Sequence, residues 1–129
     1  MSRILITAES SPGETRVAAT PETVKKFVAL GCKVLFEEGA GLKAGFLDNQ
    51  YKNVGAELIP NKDKSYWTKA DVLLCVQPPK LECLSNLKKG ALIVGLLAPF
   101  GNPSFANSLK EASISAIALE LLPRISRAQ

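Results

Sequence analysis

The sequence lacks histidine altogether: none occurs among its 129 residues. Because imidazole is the side chain that titrates closest to neutral pH, this absence excludes any mechanism that needs a histidine base or acid from this chain. It also removes the usual nitrogen ligand of zinc, and the three cysteines, Cys32, Cys75 and Cys83, include no C-x-x-C pair. We therefore expect no metal site and reduced, partly buried thiols.

Aromatic residues and net charge are also sparse. The chain has one tryptophan, two tyrosines and five phenylalanines, and its formal net charge is only +4. The lysines are spread along the sequence in pairs such as Lys25 and Lys26. Because nucleic-acid-binding proteins usually concentrate positive charge on one face together with aromatic residues, we predict no nucleic-acid partner.

No hydrophobic run is long enough to span a bilayer. The longest, residues 91–100, is about half the length that a membrane helix needs, and it contains Gly95 and Pro99. Residues 1–8 are too short and too interrupted to form the apolar core of a secretory signal. We therefore predict a cytoplasmic protein.

What the sequence does contain is a regular alternation of strand-like and helix-like segments. Hydrophobic residues make up 47% of the chain and charged residues 22%, which is typical of a globular domain. The pattern predicts strands at 3–8, 33–37, 57–59, 71–76, 91–97 and 115–119, and the strand at 91–97 is expected to be the most buried. It predicts helical segments at 21–30, 49–54, 61–69, 81–87 and 103–112. Thr20 and Asp48 are expected as N-caps of the first two helices.

This order predicts one α/β domain over residues 1–129, with a doubly wound, mostly parallel sheet and helices on both faces, of the flavodoxin or Rossmann type. Such sheets bind ligands at the carboxyl ends of their strands. Three loops are expected at that edge and carry suitable polar residues: residues 9–16, 77–80 and 120–129.

Two patterns in the first half of the chain suggest ligand binding, and both have plainer explanations. Residues 39–44 fit G-x-G-x-x-A, but Gly45 interrupts the helix that a phosphate cradle needs, so we predict a glycine-shaped turn. Arg16 suits a carboxylate or phosphate, yet the residue taken alone favours a plainer explanation, an ion pair with Glu14 or Glu9 or a solvated loop arginine. No G-x-S-x-G elbow or assignable carboxylate pair is present, so we expect no covalent chemistry from this chain alone.

The last residues, PRISRAQ, combine two guanidinium groups, a hydroxyl and an amide directly after a predicted strand. Such a set could hold a phosphate, a ribose or a carboxamide. A polar tail is the alternative explanation of the same composition.

Five segments in order, ETRVAATPETVKKFVALG, VLFEEGAGLKAGFLDNQYKNVGAEL, ADVLLCVQPP, GNPSFANSL and ELLPRISRAQ, resemble a known family. It is the amino-terminal domain shared by alanine dehydrogenase and the α subunit of proton-translocating nicotinamide nucleotide transhydrogenase. Alanine dehydrogenases resemble one another in a catalytic histidine after the strand that here reads ALIVGLL and in a lysine on the strand that here reads DVLLCVQ. This sequence has no histidine and has Cys75 in place of the lysine, whereas PRISRAQ is similar to the transhydrogenase signature.

The resemblance implies a site and a set of partners. Arg124 would hydrogen-bond the nicotinamide side of NAD(H), Ile125, Ser126 and Arg127 would shape the loop, and Gln129 would be the catalytic residue that orients the ribose and ring. NADP(H) would lie on the partner β subunit, and hydride would pass directly between the two rings. A homodimer is implied, peripheral to the inner membrane and attached to it only through partner subunits. The chain would be a fragment cut inside the active-site loop and inactive alone.

Two alternatives remain open from the sequence. One is an amino-acid dehydrogenase of the alanine or saccharopine type. The other is a separate α/β module in which Arg16 and Arg124 bind a small anion without any redox role.

Overall fold

One wholly parallel six-stranded sheet is formed by the residues that the structure, a computed structural model, describes, which are 2–61, 63–97 and 103–119. Its strands are β1 (Arg3–Ile6), β2 (Lys33–Glu37), β3 (Glu57–Ile59), β4 (Val72–Leu74), β5 (Leu92–Gly95) and β6 (Ser115–Ala118). The helices are α1 (Pro21–Ala29), α2 (Asp48–Asn53) and α3 (Pro103–Glu111), with short 3₁₀ segments at Leu42–Ala44, Lys64–Lys69 and Leu81–Asn86.

The spatial order of the strands is β3-β2-β1-β4-β5-β6. The chain winds outward from β1 to β3, returns to place β4 beside β1, and then winds outward to β6. Both halves of the sheet are therefore built from parallel crossover units, and the winding reverses between β1 and β4. This confirms the predicted doubly wound α/β fold.

Each face of the sheet has its own hydrophobic core, because successive side chains of a strand point to opposite faces. Leu5, Leu35, Leu73 and Ile93 pack on one face with residues of the 3₁₀ segments and α3. The other face carries a second cluster, built from β1, β2, α1 and α2: Ile4, Ile6, Val34, Phe36, Val24 and Tyr51. A parallel sheet needs cover on both faces, which explains why β1 and β2 are apolar at consecutive positions.

Helix α1 forms as its sequence predicts. The backbone amide of Thr23 donates to Oγ1 of Thr20 at 3.2 Å, and Pro21 occupies the first helical position, where no amide donor is needed. Val24 is fully buried against the second core, which stabilises the fold by about 1.5–3 kcal/mol. The helix ends before Gly31, whose φ of 92° suits a residue without a Cβ.

Two details of the predicted fold were wrong. Strand β5 is not the most buried, because Leu92 and Val94 are only half-buried while β1 and β2 are buried almost throughout. The reason is that α1 and α2 pack against β2 and β3, in the other half of the sheet. Asp48 is not an N-cap: it is the first residue of α2, after Leu47, and its carboxylate accepts from the amide of Gly39 at 2.9 Å.

Gly95 marks a close approach between the ends of β4 and β5. A Cβ at this position would lie 2.4 Å from the carbonyl oxygen of Cys75 and 2.8 Å from its Sγ. We predict that Gly95→Ala lowers the free energy of unfolding by about 1–3 kcal/mol, measured by urea denaturation, because the backbone must shift to admit the methyl group. The double variant Gly95→Ala, Cys75→Ala should remain destabilised relative to Cys75→Ala alone, since the carbonyl stays in place. Unchanged stability in both comparisons would refute this explanation.

Candidate functional site

A cleft of about 560 Å³ opens at the carboxyl edge of the sheet. It is lined from several elements: Thr7 and Glu9 follow β1, Glu37 ends β2, and Cys75 and Gln77 follow β4. The cleft thus spans the point between β1 and β4 where the winding of the sheet reverses. Doubly wound proteins bind their ligands at this point, because the loops on either side diverge to opposite faces.

Glu9 ties the loop after β1 to the loop after β4. Its two carboxylate oxygens accept from the backbone amides of Val76 and Gln77, both at 2.9 Å. Pro78 and Pro79 follow immediately and cannot extend the strand, so these amides need a partner other than a neighbouring strand. Burial raises the pKa of Glu9 and the charge of Glu14 adds to this, while the two amide bonds oppose it.

Glu37 makes the equivalent link between β1 and β2. It is 3% exposed, and its Oε1 accepts from the backbone amide of Ala8 at 2.7 Å. The amide just beyond the end of β1 is therefore satisfied by a carboxylate from the neighbouring strand. Glu37, which is buried, and Glu9, which is partly buried, thus fix the positions of three neighbouring strand ends around the cleft.

Arg16, Glu14 and Gln77 form a polar cluster at the same edge. The Glu14 carboxylate accepts from Nε and Nη2 of Arg16, each at 2.9 Å, and from Nε2 of Gln77 at 3.0 Å. The backbone amide of Arg16 also donates to it at 2.9 Å. These hydrogen bonds, that of the Arg16 guanidinium first, hold the pKa of Glu14 well below its usual range and raise the pKa of Arg16.

The ion pair confirms the plainer interpretation of Arg16. Its guanidinium fork is occupied by Glu14, whose side chain is only 7% exposed, although the arginine side chain itself remains 60% exposed. A carboxylate ligand would have to compete with this internal partner. Arg16 therefore orders the loop after β1 in this structure.

Cys75 is a buried thiol at the back of the cleft. Its Sγ donates to the carbonyl oxygen of Val94 at 3.6 Å, and burial, with a smaller contribution from the charge of Glu9, raises its pKa to about 12. A thiol with this pKa stays protonated near neutral pH and is a poor nucleophile. The thiol group fills space beside Gly95. It offers a substrate no positive charge, whereas a lysine at this position would offer an ammonium group.

The G-x-G-x-x-A pattern forms a turn, as predicted. Its last three residues, Leu42–Ala44, form a 3₁₀ segment that ends at Gly45, whose φ is 90°. A Cβ on Gly41 would lie 2.7 Å from Cε2 of Tyr51, so this glycine makes room for an aromatic ring. The carboxylate of Asp48 already occupies the amide of Gly39. The turn thus lacks the helix of a phosphate cradle, and the amide of its first glycine already has a partner.

The residues predicted to hold the nicotinamide, Arg124, Ile125, Ser126, Arg127 and Gln129, lie outside the described residues. The structure does bring together the other two loops that the sequence indicated, residues 9–16 and 77–80. Sequence reasoning missed Glu37 and the individual roles of Glu9 and Gln77. Their only signal is that each follows or ends a predicted strand.

Among the residues that the structure describes, no group of three or more cysteine, aspartate or glutamate side chains is arranged to hold a metal ion. No helix in the same residues has both the length and the apolar character needed to cross a membrane.

The fold and the cleft define a class: a doubly wound α/β domain whose ligand-binding edge lies at the reversal point of a parallel sheet. Residues 5–129 match the family model described as "Alanine dehydrogenase/PNT, N-terminal domain". The chain belongs to this family.

Similar proteins come from both branches of the family. The chain is 38% identical over 98% of its length to an NAD(P) transhydrogenase subunit alpha protein of Rhodospirillum rubrum, and 36% identical to the protein of the same name from Rickettsia prowazekii. It is 29% identical to alanine dehydrogenase 1 of Staphylococcus aureus. The chain spans 34% of the Rhodospirillum rubrum and Rickettsia prowazekii proteins.

Solved structures give the same order of similarity. A transhydrogenase from Sinorhizobium meliloti matches with a TM-score of 0.91 and 36% identity, covering 99% of this chain and 38% of that one. An L-alanine dehydrogenase matches with a TM-score of 0.83 and 28% identity, covering 90% of this chain and 32% of that one. Sequence and structure thus agree that the transhydrogenase branch is the more similar.

The acidity of Glu14 predicts a specific pH dependence of stability. Its pKa is lowered on folding from an ordinary value of 4.5, so its contribution is present above that pH and is lost as the pH falls below it. In urea titrations between about pH 5 and 3, Glu14→Gln should lose stability less steeply than the wild type. Glu9 is present in both proteins, and the substitution removes only the effect of the Glu14 charge on its pKa, which is smaller than the effects of burial and of the two amide bonds.

The control for this titration is Glu111→Gln, at the exposed end of α3. It removes the same charge and should retain the wild-type slope. Equal slopes for wild type and Glu14→Gln would show that the Arg16–Glu14–Gln77 cluster contributes nothing to acid stability.

Proposed function

We propose that this domain is the amino-terminal portion of the NAD(H)-binding α subunit of a proton-translocating transhydrogenase. In this proposal the whole enzyme transfers hydride between NADH and NADP⁺, and this chain alone is inactive. The observation that carries the proposal is the 38% identity, over 98% of the chain, to the NAD(P) transhydrogenase subunit alpha protein of Rhodospirillum rubrum.

The chemistry of the cleft supports this choice over an amino-acid dehydrogenase. A dehydrogenase acting on a 2-oxo acid needs a cation for the carboxylate and an acid for the carbonyl. Here the guanidinium of Arg16 is paired with Glu14, the thiol of Cys75 is protonated, and the chain has no histidine. A direct transfer between two nicotinamide rings requires none of these groups, because the protein then only has to position the rings.

The terminal loop would hold the nicotinamide end of the cofactor. The guanidinium of Arg124 would donate to the carboxamide side, Ile125, Ser126 and Arg127 would shape the backbone, and Gln129 would orient the ribose and ring. These donor types suit uncharged oxygen acceptors. NADH, when bound, supplies the hydride. Among the described residues, the turn at Gly39 offers no free cradle for the pyrophosphate, so the rest of the cofactor would need contacts from elsewhere.

The partners follow from the same proposal. The β subunit would present NADP(H), two α subunits would form a homodimer, and proton translocation would belong to membrane-spanning subunits. The domain would be cytoplasmic and peripheral to the inner membrane, reaching the membrane through the complex.

Cofactor affinity tests the proposal. In calorimetry, NADH should bind this chain at least about tenfold more weakly than it binds the longer Rhodospirillum rubrum protein, because contacts to the adenosine and phosphates would be missing. In saturation-transfer NMR on this chain, Arg124→Ala should weaken the nicotinamide signal. The control is Lys110→Ala, at an exposed site on α3, which removes the same charge and should leave the nicotinamide signal unchanged.

Three outcomes would reject the proposal. Equal NADH affinity for the two proteins would mean that this domain holds the whole cofactor. Pyruvate-dependent oxidation of NADH would identify an amino-acid dehydrogenase. Thermal stabilisation by simple carboxylates or phosphates, together with indifference to nicotinamide nucleotides, would identify a small-anion module instead.

A further inference from the structure

A second cavity, of about 230 Å³, lies at the opposite edge of the sheet from the cleft. It is lined by the residues that begin three strands or precede them: Arg3 starts β1, Lys33 starts β2, Glu57 starts β3, and Lys69 ends the 3₁₀ segment before β4. Ligands of doubly wound domains bind at the carboxyl edge, so this cavity is separate from the proposed cofactor site.

The cavity carries an excess of positive charge. Its lining has three cations, Arg3, Lys33 and Lys69, and one carboxylate, Glu57, which leaves a net charge of +2 within the set. Glu57 pairs with Lys33 at 3.2 Å, and both side chains are about half exposed. Two further carboxylates act on these cations from nearby. Asp71 pairs with Lys88, accepts from the backbone amide of Arg3 and attracts the Arg3 guanidinium, and Asp63 attracts Lys69.

The shape of the cavity is partly set before any ligand binds. The ammonium of Lys69 lies 5.1 Å from the ring centroid of Tyr66, close enough for a cation–π interaction that restrains the lysine. Leu35, which is 2% exposed, contributes an apolar wall. Lys33 projects from a strand that is paired on both sides, by β1 and β3. The cations thus come from elements that the sheet holds in place.

We propose that this cavity binds a small polyanion of the diphosphate type, carrying at least two negative charges. Among the described residues, Arg3 and Lys69 form no salt bridge. Each of them can therefore donate to a separate oxygen of a compact dianion, which favours a ligand with two negative charges over one with a single charge. The proposal concerns a site distinct from the proposed cofactor loop, and it does not depend on transhydrogenase activity.

Titration with inorganic pyrophosphate at low ionic strength, followed by amide chemical shifts, tests the site. We expect shifts centred on Arg3, Lys33, Tyr66 and Lys69, and weaker binding as salt is added. The double variant Lys33→Ala, Lys69→Ala should weaken binding by about tenfold, the effect of removing two exposed charge pairs. Both lysines are exposed, so the variant should fold normally.

The matched control is Lys25→Ala, Lys26→Ala, which removes the same two charges from the exposed side of α1. It should change the affinity by less than about twofold. ADP in place of pyrophosphate identifies the source of the anion: equal affinity means that the diphosphate alone is recognised, and tighter binding of ADP means that a nucleotide is. Both results support the site.

Three results would overturn the proposal. They are the absence of pyrophosphate binding at low salt, an equal loss of affinity in the two double variants, and shifts confined to residues 9–16 and 76–80. None of them bears on NADH binding, so the failure of this site and the failure of the proposed function are distinguishable.

Discussion

The structure of the carboxyl edge of the sheet depends on how the backbone amides at the strand ends find hydrogen-bond acceptors. A parallel sheet brings the carboxyl ends of neighbouring strands to one edge, where the last amides run out of strand partners and must find other acceptors. In this protein the acceptors are carboxylates: the buried Glu37 accepts from the amide of Ala8, and the partly buried Glu9 accepts from the amides of Val76 and Gln77. These bonds set the distance between the loops and therefore the shape of the cleft.

The same carboxylates determine the electrostatics of the cleft. Glu9 is partly buried and lies near the acid Glu14, so its pKa rises, while Glu14 is held ionised by Arg16 and Gln77. A nearby negative charge also helps to keep the thiol of Cys75 protonated. The cleft thus has a preorganised polar wall with little chemistry of its own, which agrees with the proposed role of positioning a reactive cofactor. The opposite edge has a cationic cavity, so charge is distributed unevenly across the sheet.

The sequence predicted the fold well where local signals act alone. Thr20 and Pro21 fixed the start of α1, and the bounds predicted for β2 were confirmed. Burial of β5 could not be predicted, because it depends on where α1 and α2 pack rather than on the apolar content of the strand. Asp48 was misassigned because its carboxylate bonds to Gly39 across a turn, and no local pattern distinguishes this bond from a helix cap.

The candidate site shows the same division between local and distant signals. That residues 9–16 and 77–80 lie at the same edge of the sheet follows from parallel topology, and the sequence indicated it. The pairing of Glu9 with Val76 and Gln77 spans 67 and 68 residues of sequence, so it depends on the strand order. The position of β4 beside β1 decides it, and a single sequence does not specify that neighbour.

Amide hydrogen exchange in the Glu9→Gln variant tests this account most directly. Glutamine keeps the size of the side chain but has one acceptor oxygen, so only one of the two loop amides retains its partner. The account predicts that the amide of Val76 or Gln77 exchanges about tenfold faster than in the wild type, while Leu73 and Ile93 in the sheet keep their rates. Unchanged exchange at both loop positions would contradict the claim that this carboxylate holds the edge together.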